Sequence, residues 1–236
     1  MPEEDFDLMS LAEFLHLHPD QVRRMTDRGR LPGRRIGGEW RFSRAEIHQW
    51  FEEKIGASGE RELDEVDRVL DLQDKKQTPE PFEITNLLQP DCVFVPFMAK
   101  TKRSVIDKIC EQTALTGRLW EADKMADALR SREALHPTAL ENGVALLHPR
   151  RPIPGIMGEP FLAVGITYAG IPFGGPRGAL TDIFFLIGSM SEAMHLRLLA
   201  RLSRLIQQDD FLTALREAES PESAWKSIAE FDHNLS

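Results

Sequence analysis

Cysteine and long apolar runs are both scarce in this sequence, and each scarcity excludes a class of protein. The 236 residues include two cysteines, Cys92 and Cys110, which cannot form a disulfide framework and do not have the spacing of metal ligands. The longest apolar candidate, residues 183–187, is much shorter than the roughly 18–20 residues that a membrane-spanning helix needs. The opening MPEEDFD is acidic, whereas a secretory signal begins with basic and then apolar residues. We therefore expect a cytoplasmic protein with no membrane span.

Net positive charge is also absent, but the charges are unevenly distributed. The chain carries 29 basic and 38 acidic residues, a net charge of −9, which argues against non-specific coating of nucleic acid along its whole length. Between Arg23 and Arg44, however, eight arginines face only Asp27 and Glu39, so this segment carries +6 and the remainder carries −15. Such asymmetry in an acidic chain predicts a local interaction surface.

The overall composition is that of an ordinary globular protein. Hydrophobic residues make up 42% of the chain and charged residues 28%, which excludes long disorder and fibrous repeats. With roughly 100–200 residues expected per domain, the length allows one large domain or two unequal ones. A change of composition near residue 57 favours two.

The first 30 residues predict two short helices. Ser10 is the expected N-cap of a helix over residues 8–18, with Glu13 three positions later in capping-box spacing. Pro19 then suits the first turn of a second helix, which Gly29 terminates. The inward residues of this second helix are expected to be Val22 and Met25.

A basic hairpin and a closing helix follow. The segments RRI and WRF flank Gly37 and Gly38, a pair typical of a tight two-residue hairpin. Ser43 is the expected N-cap of a third helix. The inward face of that helix comprises Ile47, Trp50 and Phe51.

This ordered set of elements resembles the excisionase-type helix-turn-helix, a relative of MerR-like winged domains. The shared features are the core G-x-L-P-x-x-R-I-G-G-x-W-R over residues 29–41 and the closing helix S-x-x-x-I-x-x-W over residues 43–50. The resemblance implies a mostly α winged helix-turn-helix at residues 1–56 that binds double-stranded DNA. The expected DNA-binding residues are Arg23, Arg24, Arg28, Arg34, Arg35 and Arg41. The alternative is that these arginines form a solvated face and that the module binds protein.

Residues 57–80 have the composition of a linker, because they are rich in charge, begin with small residues and end in two prolines. Leu63, Val66 and Leu70 nevertheless have a/d spacing, which predicts a short helix with an apolar stripe. That stripe must bury against the second domain or a second copy of the chain, so a homodimer is a possibility.

The remainder, residues 81–236, predicts an α/β domain with a mixed sheet and flanking helices. The segment LTDIFFLIG at residues 180–188 has the continuous hydrophobicity of a central strand. The other expected strands are 92–95, two short segments around Gly143, and 161–168. The expected helices are 102–114, 121–133, 191–206, 209–217 and 221–231.

Three polar residues stand out in this domain: Arg132, His148 and His195. His148 follows an apolar strand-like run and enters a loop rich in proline, which places an imidazole at the end of a rigid element. His195 lies near the start of a helix, where backbone N–H groups and the helix dipole favour an anion.

Residues from about 82 to 232 resemble the fructose/mannitol/nitrogen-type (type 2) IIA domain of the bacterial phosphotransferase system. The matching motifs are an RE pair, a G-[VI]-A-x-[P]-H motif ending in the histidine, and H-L-x-x-L-A. These fall on Arg132 and Glu133, on Gly143, Val144, Ala145 and His148, and on His195, Leu196, Leu199 and Ala200. The resemblance implies that His148 accepts a phosphoryl group from a histidine phosphocarrier protein, and that Arg132 and His195 line the same site.

The chemistry of these side chains suits that role. A neutral imidazole nitrogen is a nucleophile near neutral pH, and phosphoryl transfer depends mainly on positioning and charge stabilisation. A guanidinium and a second imidazole can supply the stabilising contacts, so no metal and no cofactor are expected. The sequence departs from the family at Leu147, where proline is usual, at Pro149, where a small residue is usual, and at Pro137, where the family has Ser or Thr before Thr138.

Three functional hypotheses follow. The first is a bacterial regulator in which a phosphorylatable IIA-like domain controls a DNA-binding helix-turn-helix. The second is a phosphocarrier component that passes a phosphoryl group onward to another protein. The third is an interaction protein that is not phosphorylated.

Overall fold

The computed structural model describes residues 5–14, 18–44, 46–47, 50 and 83–235. The chain separates into two compact units, residues 1–80 and 81–236. Within the described ranges, no helix combines the length and hydrophobicity that crossing a membrane requires. The predicted helix with Leu63, Val66 and Leu70, and the predicted inward residue Phe51, lie outside the described residues.

The first unit combines short helices with a small antiparallel sheet. In chain order its elements are β1 (Phe6–Asp7), α1 (Leu8–Phe14), α2 (Pro19–Asp27), β2 (Arg34–Ile36) and β3 (Glu39–Phe42). The strand order is β1-β3-β2. The core is apolar, as its fully buried members Leu11, Val22, Leu31, Phe42 and Ile47 show.

The predicted N-cap of the first helix is wrong, because Asp7 and not Ser10 occupies that position. Asp7 Oδ1 accepts the Ser10 N–H at 2.7 Å, and Ser10 Oγ accepts the Asp7 N–H at 2.9 Å. The bond from the Ser10 N–H to the carboxylate has the largest effect in lowering the pKa of Asp7, and the Ser10 hydroxyl, which donates to Asp7 Oδ1 at 2.9 Å, lowers it further. The predicted end at residue 18 is also wrong, because His18 is the N-cap of α2.

The prediction for α2 is confirmed with one change of inward residue. Pro19 opens the helix, and Gly29 lies just beyond its end with φ +67, a left-handed conformation that suits glycine. Val22 is buried as expected, but its buried companion is Thr26, and Met25 is only half-buried. The reason is that the Thr26 hydroxyl donates to the Val22 carbonyl at 2.8 Å and so needs no water.

The hairpin between β2 and β3 is confirmed. Gly37 and Gly38 have φ +62 and +88, and two successive positive φ values define the type I′ turn that matches strand twist. Arg34 pairs with Arg41 across the hairpin. The described residues of the third helix begin after Ser43, whose carbonyl accepts the Ile47 N–H at 3.0 Å.

The second unit has a four-stranded mixed sheet flanked by helices, as predicted. Its strands are β4 (Val93–Phe94), β5 (Val144–Leu147), β6 (Phe161–Pro172) and β7 (Leu180–Gly188), in the order β4-β6-β7-β5. The β4–β6 and β5–β7 pairs are parallel, and β6–β7 is antiparallel. The helices are α3 (Lys102–Leu115), α4 (Ala122–Leu135), α5 (Glu192–Ile206), α6 (Asp209–Arg216) and α7 (Pro221–Asn234).

The strand predictions hold at the centre of this sheet and fail at its edges. β7 matches the predicted range and lies between β5 and β6 as a central strand. The predicted strand 92–95 shortens to β4, because Pro90 opens a 3-10 turn that takes Cys92 out of the ladder. The segment before Gly143 forms a single bridge, Ala139 to Ala145, instead of a strand.

Candidate functional site

The carboxyl ends of two parallel strands and the start of a helix meet at one edge of the sheet. Leu147, the last residue of β5, pairs with Leu186 of β7, and His148 follows directly. Beyond β7 the chain enters α5, with Ser191 as its N-cap accepting the Met194 N–H at 3.3 Å. His195 is the fourth residue of this helix. Because parallel strands end at the same edge, this topology brings the two histidines together.

The two imidazoles form a buried pair. The ring centroids of His148 and His195 are 4.9 Å apart, with 54° between the ring planes. His148 is 4% exposed and His195 is 3% exposed. Two histidines in contact and withdrawn from water are an uncommon use of this residue type, and they mark a place where one ring can act on a group bound to the other.

The hydrogen bond of His148 specifies its tautomer. Its Nδ1 lies 2.8 Å from the carbonyl oxygen of Leu146. A carbonyl oxygen can only accept, so Nδ1 carries the proton. In the neutral ring the lone pair is then on Nε2, and this atom is the nucleophile that the site presents.

Arg132, the third predicted site residue, lies in the last turn of α4. Its Nη1 donates to the carbonyl of His136 at 2.7 Å. This bond satisfies a carbonyl at the helix C-terminus, where a cation is favourable. This bond joins Arg132 to the turn that leads toward β5.

Glu133 is a buried polar residue to which the sequence reasoning gave no role beyond its place in the RE pair. Its side chain is 1% exposed, and its Oε2 lies 2.8 Å from Lys102 Nζ. Its Oε1 accepts the Thr138 N–H at 3.1 Å and also accepts the Thr138 hydroxyl. A signal was available: Glu133 follows Met125 and Leu129 at four-residue intervals, so it lies on the buried face of α4.

A second network fixes the other end of β5. Gly143 has φ +87, and a Cβ there would lie 2.7 Å from Arg216 Nη2 and 2.8 Å from Asp182 Oδ1, so a side chain is excluded. Arg216 donates to both carboxylate oxygens of Asp182, at 2.7 and 3.0 Å, and to the Asn142 carbonyl at 2.6 Å. The strand that presents His148 is therefore held at its start by α6.

The loop after His148 is attached to the turn between α3 and α4. The Trp120 N–H donates to the Ile156 carbonyl at 2.8 Å, and Leu119 forms a bridge with Met157. Gly158 lies against the Trp120 ring. Trp120 is itself 63% exposed. The turn therefore places an aromatic residue beside the loop, on the side that faces solvent.

The arginines of the first unit form an exposed basic surface. Those predicted on helix α2 and its C-cap are all exposed, as are the two on β2, whereas Arg41 is half-buried. Arg34 lies 3.7 Å from Asp5 and Arg35 lies 3.8 Å from Asp27, distances at the outer limit of an ion pair. Arg35 also lies over the Trp40 ring at 4.9 Å. The guanidinium groups are thus supported by neighbours and still accessible from outside.

Comparison with known proteins identifies both regions. Residues 86–231 match the family model "Phosphoenolpyruvate-dependent sugar phosphotransferase system, EIIA 2", and residues 11–55 match a helix-turn-helix domain. Over 152 residues the chain is 26% identical to the PTS system fructose-specific EIIABC component of Bacillus subtilis. That match covers 64% of the chain and 24% of the relative, so the chain spans about a quarter of that protein.

Two further similarities concern nitrogen regulatory proteins. The chain is 27% identical over 149 residues to one from Bradyrhizobium diazoefficiens, covering 62% of the chain and 94% of the relative. The crystal structure of IIA-Ntr from Neisseria meningitidis superposes with a TM-score of 0.55 at 20% identity, covering 61% of the chain and 98% of that structure. At this identity the superposition shows a shared fold. Since the EIIA 2 model accounts for more than half of its residues, the chain belongs to the EIIA 2 family of the phosphotransferase system, with a helix-turn-helix domain preceding the family region.

Proposed function

We propose that this protein is a cytoplasmic bacterial regulator in which phosphorylation of His148 controls the binding of residues 1–56 to double-stranded DNA. The observation that carries the proposal is the buried His148–His195 pair, in which a backbone acceptor leaves Nε2 of His148 as the nucleophile. Membership of the EIIA 2 family supports phosphorylation at this histidine.

The transfer step is a displacement at phosphorus. The phosphorus–nitrogen bond of a phosphorylated histidine phosphocarrier protein breaks while a bond forms from phosphorus to His148 Nε2. The His148 ring keeps its Nδ1 proton and becomes cationic as the new bond forms. The Leu146 carbonyl, 2.8 Å from Nδ1, stabilises that charge in the transition state.

His195 and Arg132 are proposed to bind the phosphoryl oxygens. The His195 ring is already in contact with the His148 ring, so a donor nitrogen on it is within reach of a group attached there. Arg132 is at the C-terminal turn of α4, where its guanidinium is half-buried and hydrogen-bonded to the main chain. A guanidinium with several donors can keep that bond and offer others to an anion.

The first unit is proposed to bind DNA as a winged helix-turn-helix. Helix α2, with exposed Arg23 and Arg24 on its surface and exposed Arg28 at its C-cap, would enter the major groove. The β2–β3 hairpin would act as the wing, with Arg34 and Arg35 contacting phosphates. The match of residues 11–55 to a helix-turn-helix domain supports this assignment.

Coupling between the two activities is proposed to be mechanical. A phosphoryl group adds about −1.5 to −2 charges at pH 7, but repulsion between exposed charges is screened beyond about 8 Å at physiological salt. The loop after His148, which is attached to Trp120 through Ile156, is the element best placed to respond. Linkage requires an effect of typically about 1–3 kcal/mol, or about 5–150-fold in DNA affinity.

The test has two stages. The native protein and the variant His148→Ala are first incubated with a phosphorylated histidine phosphocarrier protein, and acid-labile, base-stable phosphate is measured. We expect labelling of the native protein alone, and equal labelling of the variant would exclude His148 as the acceptor. A duplex obtained by unbiased selection is then titrated with unmodified protein, phosphorylated protein and His148→Ala at fixed salt. Superimposed isotherms, with labelling confirmed, would show that the domains are fused without a switch.

The second candidate function is a phosphocarrier that transfers the group from His148 to another protein. The similarity to a fructose-specific EIIABC component favours it. Here the helix-turn-helix would serve as a protein-docking module. Rapid onward transfer to a separate IIB protein, together with a lack of salt-dependent binding to any duplex, would favour this candidate over the regulator.

A further inference from the structure

We propose that Glu133 is a positioning residue that fixes the tautomer of His148 from a distance. The inference rests on the proposed function, in which Nε2 of His148 accepts the phosphoryl group. Glu133 does not contact either imidazole in this scheme. It acts through Thr138 and Leu146, by three hydrogen-bonded links that the backbone of these two residues connects and that end at His148 Nδ1.

The first part of the series anchors the carboxylate. Lys102, the first residue of α3, places its Nζ 2.8 Å from Glu133 Oε2 and also donates to the Phe173 carbonyl at 3.1 Å. Because the Glu133 side chain is 1% exposed, this pair and the bonds from Thr138 replace its lost hydration. The carboxylate is therefore a rigid acceptor for the backbone N–H and hydroxyl of Thr138.

The second part of the series reaches the histidine. The Thr138 carbonyl accepts the Leu146 N–H at 3.5 Å, and the adjacent Ala139 forms a bridge with Ala145. The other polar group of Leu146, its carbonyl, accepts from His148 Nδ1 at 2.8 Å. Glu133 thus orders the segment that lies beside β5, and the position of one peptide group in β5 determines which nitrogen of His148 carries the proton.

The functional consequence is a choice between two phosphorylation products. While the Leu146 carbonyl is in place, Nδ1 is protonated and only Nε2 has a lone pair. If Thr138 loses its acceptor, the segment and the Leu146 carbonyl can shift, and the second tautomer becomes accessible. Nδ1 would then compete as the acceptor of the phosphoryl group, and the rate at Nε2 would fall.

The experiment distinguishes the effect of the length of the Glu133 side chain from the effect of its charge. Glu133→Gln keeps an oxygen at the same distance from Thr138 and removes the charge, whereas Glu133→Asp keeps the charge and withdraws it by one methylene. Each full-length variant is phosphorylated by the carrier protein, and the rate and the ratio of the two phosphohistidine isomers are measured. We expect Glu133→Gln, which keeps an acceptor for Thr138 but loses the ion pair with Lys102, to give the Nε2 isomer with a smaller loss of rate than Glu133→Asp. Glu133→Asp should be slower by about 10–100-fold and give some Nδ1 isomer.

Asp107→Asn is the matched control. Asp107 of α3 pairs with Arg130 of α4, so this variant removes an ion pair between the same two helices without touching Thr138. It should leave both the rate and the isomer ratio unchanged. A structural role for α3–α4 packing alone would instead make the control behave like Glu133→Asp, and that result would overturn the proposal.

A measurement that needs no phosphorylated carrier protein tests this inference separately from the proposed function. Nitrogen-15 chemical shifts of the His148 ring report its tautomer in the unphosphorylated protein. We expect Nδ1–H in the native protein and in Glu133→Gln, and a mixture in Glu133→Asp. A native-like tautomer in Glu133→Asp would refute the positioning role even if His148 is phosphorylated. A native protein that shows the expected tautomers but accepts no phosphate would refute the proposed function alone.

Discussion

Arg34 and Arg35 of the first unit and Arg201 of the second unit use the same side chain in opposite ways. In the first unit Arg34 and Arg35 have side chains that are 57% and 63% exposed, and they lie 3.7 Å from Asp5 and 3.8 Å from Asp27, respectively. In the second unit Arg201 is 14% exposed, and its Nε donates to Asp232 at 2.5 Å. An exposed guanidinium remains available to bind another molecule, whereas a buried one forms its hydrogen bonds within its own unit. Among these three arginines, exposure distinguishes the two on a candidate binding surface from the one that supports the fold.

Exposed and buried ion pairs also differ in how much they contribute to the free energy of unfolding. Exposed ion pairs contribute about 0–1 kcal/mol, because water and salt screen them. Removing one partner of a buried pair costs about 3–5 kcal/mol, since it leaves a charge without compensation.

Arg201→Met should lower the free energy of unfolding of the second unit by about 3–5 kcal/mol. Asp232 is fully buried, and it also accepts the Thr85 N–H at 3.2 Å, so the variant leaves a buried carboxylate without its guanidinium partner. Urea unfolding followed by circular dichroism gives the energy, and hydrogen exchange assigns it to a unit. Arg35→Met is the matched control and should cost less than about 1 kcal/mol. Equal losses would abolish the distinction between the two arginines.

His195→Ala should slow phosphorylation of His148 by about 10²-fold, the typical cost of removing one oriented donor. The variant keeps the nucleophile and its bond to the Leu146 carbonyl, so labelling should still reach completion. Rapid-quench kinetics with a phosphorylated carrier protein measure the rate. His233→Ala, which changes an exposed histidine, should be indistinguishable from the native protein. A native rate in His195→Ala would remove this residue from the site.

Arg34→Ala or Arg35→Ala should weaken binding to all duplexes by a similar factor and reduce the salt slope by about one unit each. The reason is that a phosphate contact releases counterions without reading sequence. Titrations of a fluorescent duplex at several salt concentrations measure the slope. Arg103→Ala, which removes an arginine of the second unit whose side chain is 84% exposed, should not change it. An unchanged slope in both hairpin variants would place phosphate contacts elsewhere.

Asp7→Ala should destabilise the first unit by about 0.5–2 kcal/mol at neutral pH, the usual value of an N-cap. Hydrogen bonds from Ser10 lower the folded-state pKa of Asp7, so this contribution is complete above the unfolded value of about 3.9 and is lost as the pH falls through the lowered pKa. Thermal unfolding between pH 7 and pH 2 measures the difference.

Asp7→Asn is the control for this effect, because its amide oxygen can still accept the Ser10 N–H but does not titrate. It should keep most of the stability at neutral pH and remove this part of the pH dependence. A pH dependence as steep as that of the native protein would show that another group is responsible.

Local signals account for the elements that were predicted correctly. The hairpin at Gly37 and Gly38 depends on two residues with positive φ, and α2 depends on Pro19 and Gly29 at its ends. The errors have longer-range causes. β1 exists because Phe6 and Asp7 pair with β3 more than 30 residues later, and that pairing makes Asp7 the residue that precedes α1. No local pattern encodes this.

The features of the candidate site also separate into those that local sequence predicts and those that depend on long-range packing. The sequence by itself determined that His148 follows an apolar strand and that His195 lies near the start of a helix, because apolar runs and helix caps depend on adjacent residues. Only the tertiary structure decided that the two rings lie 4.9 Å apart, since this depends on β5 and β7 being parallel neighbours. The same holds for the tautomer of His148 and the burial of Glu133 against Lys102 and Thr138, because hydrogen-bond partners are chosen by the packing of the whole unit.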